Sequence, residues 1–201
     1  MIPALELGLM NIFLVILFAY LIGSIPFGII ISKIMGLGNL RDIGSGNIGA
    51  TNVLRPGNKS AAILTLIFDL LKGAIAVIIT YYIFNDTTAQ IAALSSFLGH
   101  CFPIWLKFKG GKGVATFIGI SLALYWPAGI LICLTWVLIA FLSRTSSLSA
   151  LISSLSSILW VWVLGAPSAV FIMTVLTILI WYRHIENIKR IIKNTEPKIN
   201  N

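Results

Sequence analysis

Long apolar segments separated by short polar breaks dominate this sequence. Each crossing of a bilayer needs about 20 apolar residues, and the seven apolar segments range from slightly longer than this to clearly shorter. The predicted spans cover approximately residues 9–31, 61–84, 90–106, 114–125, 128–142, 146–164 and 168–182. Pro26 and Gly28 lie near the inner end of the first span, where they favour a kink. The pattern predicts an all-α integral membrane protein with about seven transmembrane helices, forming a single multi-pass domain over residues 1–201.

The fourth apolar segment, residues 114–125, is short for a full crossing and leaves two topologies open. In the first, it crosses as a separate tilted helix. In the second, residues 114–142 form a hairpin that enters from the inner face, and the chain crosses five times. Both arrangements keep the polar segments on the same sides of the membrane.

The composition supports a membrane protein, because 58% of the residues are hydrophobic and only 10% are charged. A soluble globular domain needs a more polar surface. The cysteines, Cys101 and Cys133, lie in or beside apolar stretches without metal-ligand spacing, so we expect small buried residues and no metal.

The distribution of the basic residues predicts the orientation. The chain has a net charge of +8. Apart from Lys72, inside the second span, its Lys and Arg residues fall in the segments 33–59 and 107–112, at position 144, and in the tail after residue 182. In either topology these segments share one side, whereas the other side carries Glu6 and Asp86 and no basic residue. The positive-inside rule then places the N-terminus outside and the C-terminus in the cytoplasm. Because the membrane accounts for the basic excess, no nucleic acid partner is predicted.

Asp69 and Lys72 are charged residues inside the second span. Their spacing of three places them on one helix face, and intramembrane charges usually pair toward the bundle interior. They are interpreted either as a structural ion pair or as residues lining the polar end of a functional site.

The first polar constellation runs from Gly44 to Arg55 with the sequence GSGNIGATNVLR. Its G-x-G-x-x-G spacing does not indicate a dinucleotide site, because no βαβ unit surrounds it. Glycines allow backbone N–H groups to approach an anion, and the Arg55 guanidinium offers a fork for phosphate. Neutral hydrogen-bonding groups come from Ser45, Asn47, Thr51 and Asn52. The alternative is an ordinary glycine-rich loop.

The second constellation runs from Gly99 to Val114 and ends in Gly-Gly-Lys-Gly. It is not a nucleotide P-loop, since Leu106 stands where the first glycine belongs and Gly113 replaces the hydroxyl residue. Lysines among glycines nevertheless suit a phosphate monoester. The alternative, lysines at lipid headgroups, explains Lys107 and Lys109 but not the Gly-Gly-Lys-Gly core.

The third constellation covers residues 183–190, RHIENIKR, and continues with NTEP at 194–197. If this segment is helical, His184, Asn187 and Ile188 share one face. A basic amphipathic tail lying on the membrane is the alternative. His100 and His184, the two histidines of the chain, both lie at span ends on the predicted cytoplasmic side, which favours one of them as a functional residue.

Together these segments resemble the three cytoplasmic motifs of the bacterial acyl-phosphate:glycerol-3-phosphate acyltransferase family. The first motif, S-G-N-x-G-A-T-N-x-x-R, is met from Ser45 to Arg55 without departure. The second, G-H-x-F-P-x-F-x-x-F-x-G-G-K-G-V, is met from Gly99 to Val114 with Trp105 at the aromatic position. The third, R-H-x-x-N-I-x-R-L followed by G-x-E-P, has Ile191 for Leu and Asn194 for Gly. Asn tolerates the left-handed conformation that Gly would supply.

The resemblance implies transfer of a fatty acyl group from acyl phosphate to the 1-hydroxyl of sn-glycerol 3-phosphate, giving lysophosphatidate and phosphate. This reaction is the first acylation of phospholipid synthesis. The family needs no cofactor and uses neither acyl-CoA nor acyl carrier protein as direct donor, so the implied partners are the two substrates and the lipid bilayer, with no obligate protein partner. The implied location is the bacterial cell membrane, with the active-site loops on the cytoplasmic face.

Acyl phosphate is a mixed anhydride that needs positioning and charge stabilisation rather than an enzyme nucleophile. We hypothesise that Lys112, with the loop 110–113, holds the phosphate of glycerol 3-phosphate, and that Ser45 and Arg55 hold the donor phosphate. His184 would take the hydroxyl proton and Asn187 would orient a substrate. His100 is a rival base, and a phosphate oxygen of the donor is a third possible acceptor.

The other candidate binding residues follow from the same three motifs. They are Gly46, Asn47, Thr51, Asn52, Lys109, Gly110, Gly111, Gly113, Arg183 and Glu196. Glu196 is expected to orient an Arg or Lys rather than to act as a nucleophile. A small transporter for an anionic solute is the alternative function, although transporter sites usually lie near the bilayer midplane and not in loops on one face.

Overall fold

The computed structural model describes residues 8–199, and within this range every regular element is helical. Glu6, used in the orientation argument, lies outside the described residues. The helices, in chain order, are α1 Leu9–Gly23, α2 Phe27–Ile34, α3 Ala50–Val53, α4 Lys59–Ile83, α5 Asp86–Cys101, α6 Val114–Leu124, α7 Trp126–Ser143, α8 Ser146–Val163, α9 Val170–Arg183 and α10 Ile185–Ile192. Short 3-10 turns cover Leu40–Asp42, Ile104–Leu106 and Pro167–Ala169. The all-α prediction is confirmed.

Within the described range, five helical segments are long and apolar enough to cross a membrane, and the number is six if the bent pair Pro167–Arg183 and Ile185–Ile192 counts as one span. The first of these segments joins α1 and α2 across a break in the helix at 24–26, which is where Pro26 predicted a kink. α6 has 11 residues. At 1.5 Å per residue it is about 16 Å long, roughly half the hydrocarbon thickness. The count of seven crossings therefore stays a prediction.

The predicted start of the third span is wrong. Residues 85–89 do not form a polar turn, because α5 begins at Asp86, with the Asn85 side chain accepting from the Thr88 N–H at 2.9 Å as its N-cap. The third span ends at Leu106 as predicted, although within it α5 ends at Cys101, two residues before Pro103, and a 3-10 turn covers Ile104–Leu106. Proline disfavours helical geometry in the residue before it, which here is Phe102.

Glycines allow the central helices to approach closely. A Cβ added to Gly23 of α1 would lie 2.1 Å from the Ser96 carbonyl oxygen of α5, and one added to Gly119 of α6 would lie 2.0 Å from the Leu70 carbonyl oxygen of α4. Without a hydrophobic driving force between helices in lipid, such close packing is the usual way to hold them together. Large apolar side chains on the outer faces, including Leu134 and Leu138 of α7, are exposed, as expected for helices facing lipid.

Candidate active site

The first motif forms a compact loop that is organised around Asn52. This side chain is buried; its amide donates to the carbonyls of Leu40 and Asn47, and its Oδ1 accepts the Ser45 N–H at 3.1 Å. Ser45 Oγ lies 3.3 Å from the same oxygen and is exposed at the loop surface. Asn52 therefore shapes the loop from inside, while Ser45 is available to a ligand.

Arg55 lies directly against the backbone of Gly44. A Cβ added to Gly44 would lie 1.8 Å from a terminal nitrogen of Arg55, and Gly44 has a φ of +52°. Only glycine leaves space for the guanidinium there. Gly46, with a φ of +66°, accepts a bond from Arg41 through its carbonyl, and Arg41 also donates to the Lys109 carbonyl. Arg41, which sequence reasoning missed, thus ties the first motif to the second.

Asn47 and Thr51, the other polar members of the first motif, have internal partners. Asn47 Oδ1 accepts the N–H of Ile48 at 2.9 Å. Thr51 Oγ1 lies 3.2 Å from Ser146 Oγ at the start of α8. These contacts fix the loop and join it to α8, and Thr51 itself is exposed.

The Gly-Gly-Lys-Gly loop rests on the end of α5. Gly110 N–H donates to the Cys101 carbonyl at 3.0 Å, and Gly111 N–H donates to the His100 carbonyl at 3.1 Å. A Cβ on Gly111 would lie 2.2 Å from His100 Nε2, and a Cβ on Gly113 would lie 2.2 Å from the Phe97 ring. These glycines are needed for close packing, and the amides of Gly110 and Gly111 are already used within the protein.

Arg183 holds the opposite side of this loop. Its Nε lies 3.2 Å from the Gly111 carbonyl oxygen and one terminal nitrogen 3.3 Å from that of Gly110, while its guanidinium carbon lies 5.1 Å from the centroid of the Phe102 ring. The loop is clamped between α5 and the end of α9, so Lys112 projects from a fixed backbone.

The third motif forms the bend between α9 and α10, where the chain turns by 63°. His184, the N-cap of α10, and Asn187, within α10, are both buried, which is consistent with the predicted shared face. His184 Nδ1 lies 2.8 Å from the Ile180 carbonyl oxygen. Because a carbonyl only accepts, Nδ1 carries the proton, which leaves Nε2 of the neutral ring as an acceptor.

A chain of polar contacts joins the second and third motifs. Lys112 Nζ donates to Asn187 Oδ1 at 2.6 Å, and Asn187 Nδ2 donates to Glu196 Oε1 at 2.5 Å. Glu196 Oε2 lies 2.7 Å from Arg190 Nε. Glu196 thus contacts an arginine, as expected from the sequence. It also orients the Asn187 amide, which accepts the hydrogen bond from Lys112.

The C-terminal tail folds back over this network. Asn194 adopts the left-handed conformation predicted for it, with a φ of 55°, and turns the chain toward α8. Ser147 Oγ of α8 donates to Glu196 Oε1 at 2.7 Å, and Lys198 Nζ donates to the Ser143 carbonyl at 3.0 Å. Nothing in the sequence pattern of α8 singled out Ser147, because its role depends on a segment 49 residues away.

The site has an excess of positive charge around Lys112. Burial, together with the charges of Arg190, Arg183 and Arg55, lowers the pKa of the Lys112 ammonium from 10.5 to about 8, against the opposite influence of Glu196. Burial by itself raises the pKa of Glu196, but hydrogen bonds from Asn187, Ser147 and Arg190 outweigh it and leave the pKa below its usual range. Such an arrangement suits the binding of a dianion such as a phosphate group, because charge-assisted hydrogen bonds to it would replace the water that these buried cations have lost.

The structure therefore brings most of the candidate residues together at one end of the bundle. Lys112, Asn187 and Glu196 form one hydrogen-bonded chain, and Arg55 is close enough to influence Lys112. Lys109 contributes its backbone carbonyl, while its side chain is exposed. His100 is not part of this hydrogen-bonded chain and is buried beneath Gly111. Among residues 8–199, no group of three or more His, Cys, Asp or Glu side chains is placed to hold a metal ion.

Comparison with known proteins gives consistent matches along the whole chain. Residues 13–194 match the family model described as glycerol-3-phosphate acyltransferase. A glycerol-3-phosphate acyltransferase of Cereibacter sphaeroides is 54% identical over 197 residues, covering 98% of this chain and 94% of the relative. One of Roseobacter denitrificans is 56% identical over 180 residues, covering 90% of each.

Two solved structures have the same fold. Both are crystal structures of PlsY, an integral membrane glycerol 3-phosphate acyltransferase. Its glycerol 3-phosphate form gives a TM-score of 0.89 at 38% identity, and its lysophosphatidic acid form gives 0.87 at 37% identity. Each comparison covers 94% of this chain and 95% of the other.

Proposed function

The chain belongs to the glycerol-3-phosphate acyltransferase family, and on this premise we propose that its acyl donor is an acyl phosphate and that its three polar motifs form the active site. The chain is a membrane-bound acyltransferase of phospholipid synthesis, so the transporter interpretation is not retained. The contact that best supports the proposed site is the one between Lys112 Nζ and Asn187 Oδ1, at 2.6 Å. It joins the second and third motifs close to the first. The two substrates each bring a phosphate group to the site, and both phosphates need cationic partners.

In the proposed reaction, the 1-hydroxyl oxygen of glycerol 3-phosphate attacks the acyl carbonyl carbon. A new ester C–O bond forms as the C–O bond to the phosphate breaks, and inorganic phosphate leaves with the bonding electron pair. The hydroxyl proton moves to an acceptor in the site. Because phosphate is a good leaving group, alignment of the reactants and stabilisation of charge supply most of the catalysis.

Lys112 is the proposed partner of the glycerol 3-phosphate phosphate. Its ammonium is half-buried and has one neutral partner, the Asn187 carbonyl oxygen. It also precedes the uncapped N-terminus of α6, whose first-turn amides favour an anion. Ser45 and Arg55, both exposed at the first loop, are the proposed partners of the donor phosphate.

His184 is the proposed acceptor of the hydroxyl proton. Its Nδ1 is engaged with the Ile180 carbonyl, so Nε2 has a free lone pair in the neutral ring. Asn187 lies one helical turn further along the same face and orients the substrate through its contact with Lys112. In this scheme His100 has no direct contact with substrate, because Gly111 lies against its Nε2.

We also place the site on the cytoplasmic face, with the N-terminus outside. Contacts among the basic segments support one shared end of the bundle: Arg41 with Lys109, Lys112 with Asn187, and Lys198 with the Ser143 carbonyl. Asp86 lies at the turn between α4 and α5, on the side that has no basic residue in the sequence. This is the positive-inside pattern.

The proposed donor is tested with purified protein in detergent or lipidic mesophase without added metal. Labelled glycerol 3-phosphate is supplied with palmitoyl phosphate, palmitoyl-CoA or palmitoyl acyl carrier protein, and lysophosphatidate is measured. We expect product from palmitoyl phosphate only, with equimolar phosphate release. Product from palmitoyl-CoA at a comparable rate would overturn the donor assignment. A Lys112→Ala variant, assayed at low glycerol 3-phosphate, serves as the control for dependence on the proposed site.

The lowered pKa of Lys112 predicts a pH dependence. The free enzyme carries the Lys112 charge below about pH 8 and loses it as the pH rises through that value. Since kcat/KM reports the free enzyme, kcat/KM for glycerol 3-phosphate should fall above about pH 8. Initial rates measured from pH 6.5 to 9.5 test for this decline in kcat/KM.

A Lys112→Arg variant is the matched control, because a guanidinium stays protonated over the whole range. Its kcat/KM, even if lower, should not decline above about pH 8. If the wild-type decline persists in this variant, the titrating group is not Lys112.

A further inference from the structure

Three buried ionisable side chains lie beneath the active-site loop. Asp69 and Lys72 on α4 are 2% and 3% exposed, and His100 on α5 is 4% exposed. Asp69 Oδ1 is 2.7 Å from Lys72 Nζ and 3.6 Å from His100 Nδ1. The predicted pairing within α4 is thus confirmed, and the histidine joins it. None of the three has a role in the proposed reaction.

Burying these ionisable side chains inside a membrane protein costs desolvation free energy. Replacing a buried ion pair with apolar residues of similar volume is often neutral or stabilising, so an ion pair is weak support for stability. Intramembrane charges more often mark a functional role. The cluster is also firmly connected: Lys72 Nζ donates to the Ile25 carbonyl at 2.9 Å, and Thr116 Oγ1 of α6 donates to the Asp69 carbonyl at 2.9 Å.

The His100 ring lies between the ion pair and the Gly-Gly-Lys-Gly loop. Its Nδ1 edge faces Asp69, whereas a Cβ on Gly111 would lie 2.2 Å from its Nε2 and 2.9 Å from its Cε1. The His100 carbonyl also accepts the Gly111 N–H at 3.1 Å. A rotation of the ring would therefore displace Gly111, and with it the neighbouring Lys112.

The charges facing this region make Asp69 the residue that orients the ring. Lys72 and Arg183 are the cations that act on His100, and Asp69 is the anion. Arg183 is engaged with the carbonyls of Gly110 and Gly111 on the other side of the loop. Asp69 Oδ1 is the carboxylate oxygen facing the Nδ1 edge of the ring, at 3.6 Å and without a direct hydrogen bond, and the loop lies between His100 and Arg183.

We propose that Asp69 is a positioning residue for glycerol 3-phosphate: it orients the His100 ring, which supports Gly111 and so places Lys112. The inference rests on the proposed role of Lys112 as the partner of that substrate's phosphate. Asp69 does not touch substrate and affects the reaction only through the loop.

Kinetics of an Asp69→Asn variant test the proposal. KM for glycerol 3-phosphate should rise about ten- to hundredfold, the range seen when a supporting contact of a site residue is lost. KM for acyl phosphate should stay near wild type, and kcat should change much less than KM for glycerol 3-phosphate. Asp86→Asn, the same chemical change at the first turn of α5 on the far side of the bundle, is the matched control.

A charge-balanced variant keeps the test decisive if Asp69→Asn alone does not fold. Asp69→Asn combined with Lys72→Met removes both charges and leaves no unpaired ion in the membrane. If Asp69 acts through His100, the double variant keeps the raised KM. A return to the wild-type KM would mean that only charge balance mattered, and would overturn the inference.

A double-mutant cycle tests whether Asp69 acts through His100. His100→Asn should raise KM for glycerol 3-phosphate by itself, and adding Asp69→Asn should then raise it little further, because the two residues act in series. Independent, multiplying effects would overturn the route through His100. If Lys112→Ala leaves this KM unchanged in an active enzyme, the proposed function of the loop fails instead, which is a separate result from a normal KM in Asp69→Asn.

Discussion

Lys112→Ala should raise KM for glycerol 3-phosphate by about ten- to hundredfold. A hydrogen bond to a charged group contributes about 1.5–3 kcal/mol, which corresponds to that range in affinity. Because the phosphate is remote from the reacting hydroxyl, its contact is present in both ground state and transition state, and kcat should fall less than kcat/KM. Steady-state rates at varied glycerol 3-phosphate and saturating acyl phosphate give both quantities.

Lys107→Ala is the matched control in the same loop. Lys107 is exposed and forms no side-chain hydrogen bond within the described part of the chain, so this variant should keep a KM near wild type. A raised KM for acyl phosphate in Lys112→Ala, with normal KM for glycerol 3-phosphate, would assign Lys112 to the donor phosphate instead.

His184→Asn should lower kcat by about a hundredfold or more, since general base catalysis typically contributes 10²–10⁴. The Asn amide is able to donate toward the Ile180 carbonyl as Nδ1 does, but it accepts no proton. KM for either substrate should change less than kcat. Single-turnover measurements with both substrates bound isolate the chemical step.

His100→Asn separates the two histidines. We expect this variant to change KM for glycerol 3-phosphate more than kcat, because in the proposed scheme His100 supports Gly111 and does not contact substrate. If instead His100→Asn abolishes turnover while His184→Asn does not, the roles are reversed. If neither variant lowers kcat, a phosphate oxygen of the donor accepts the proton and both histidines serve in binding or support.

The network around Lys112 shows how a small membrane protein fixes flexible side chains. Asn187 provides a neutral acceptor for Lys112, Glu196 holds the other side of the Asn187 amide, and Arg190 and Ser147 hold the Glu196 carboxylate. The carboxylate does not contact Lys112 directly. The ammonium therefore keeps much of its charge available for a phosphate, whereas a direct ion pair would compete with the substrate.

The apolar pattern by itself determined the helical membrane architecture. Hydrocarbon offers no hydrogen bonds, so long apolar segments must be helices, and their polar breaks must lie near the membrane surfaces. The helix break near Pro26, the left-handed Asn194 and the Asp69–Lys72 pair also followed from local chemistry. The three motifs were readable as phosphate-binding candidates because Gly, Lys, Arg and Asn cluster in them.

Only the tertiary structure decided which of these residues contact one another. Lys112 and Asn187 are 75 residues apart, and no local period predicts their contact. The same holds for Ser147 with Glu196 and for Arg41 with Lys109. Helix packing also separated the two histidines: α5 buries His100 beneath Gly111, while the bend after α9 places His184 beside Asn187. Sequence spacing describes one helix face or one loop, whereas the proposed active site is formed by the ends of several helices. The relative placement of these helices depends on close packing at residues such as Gly23 and Gly119.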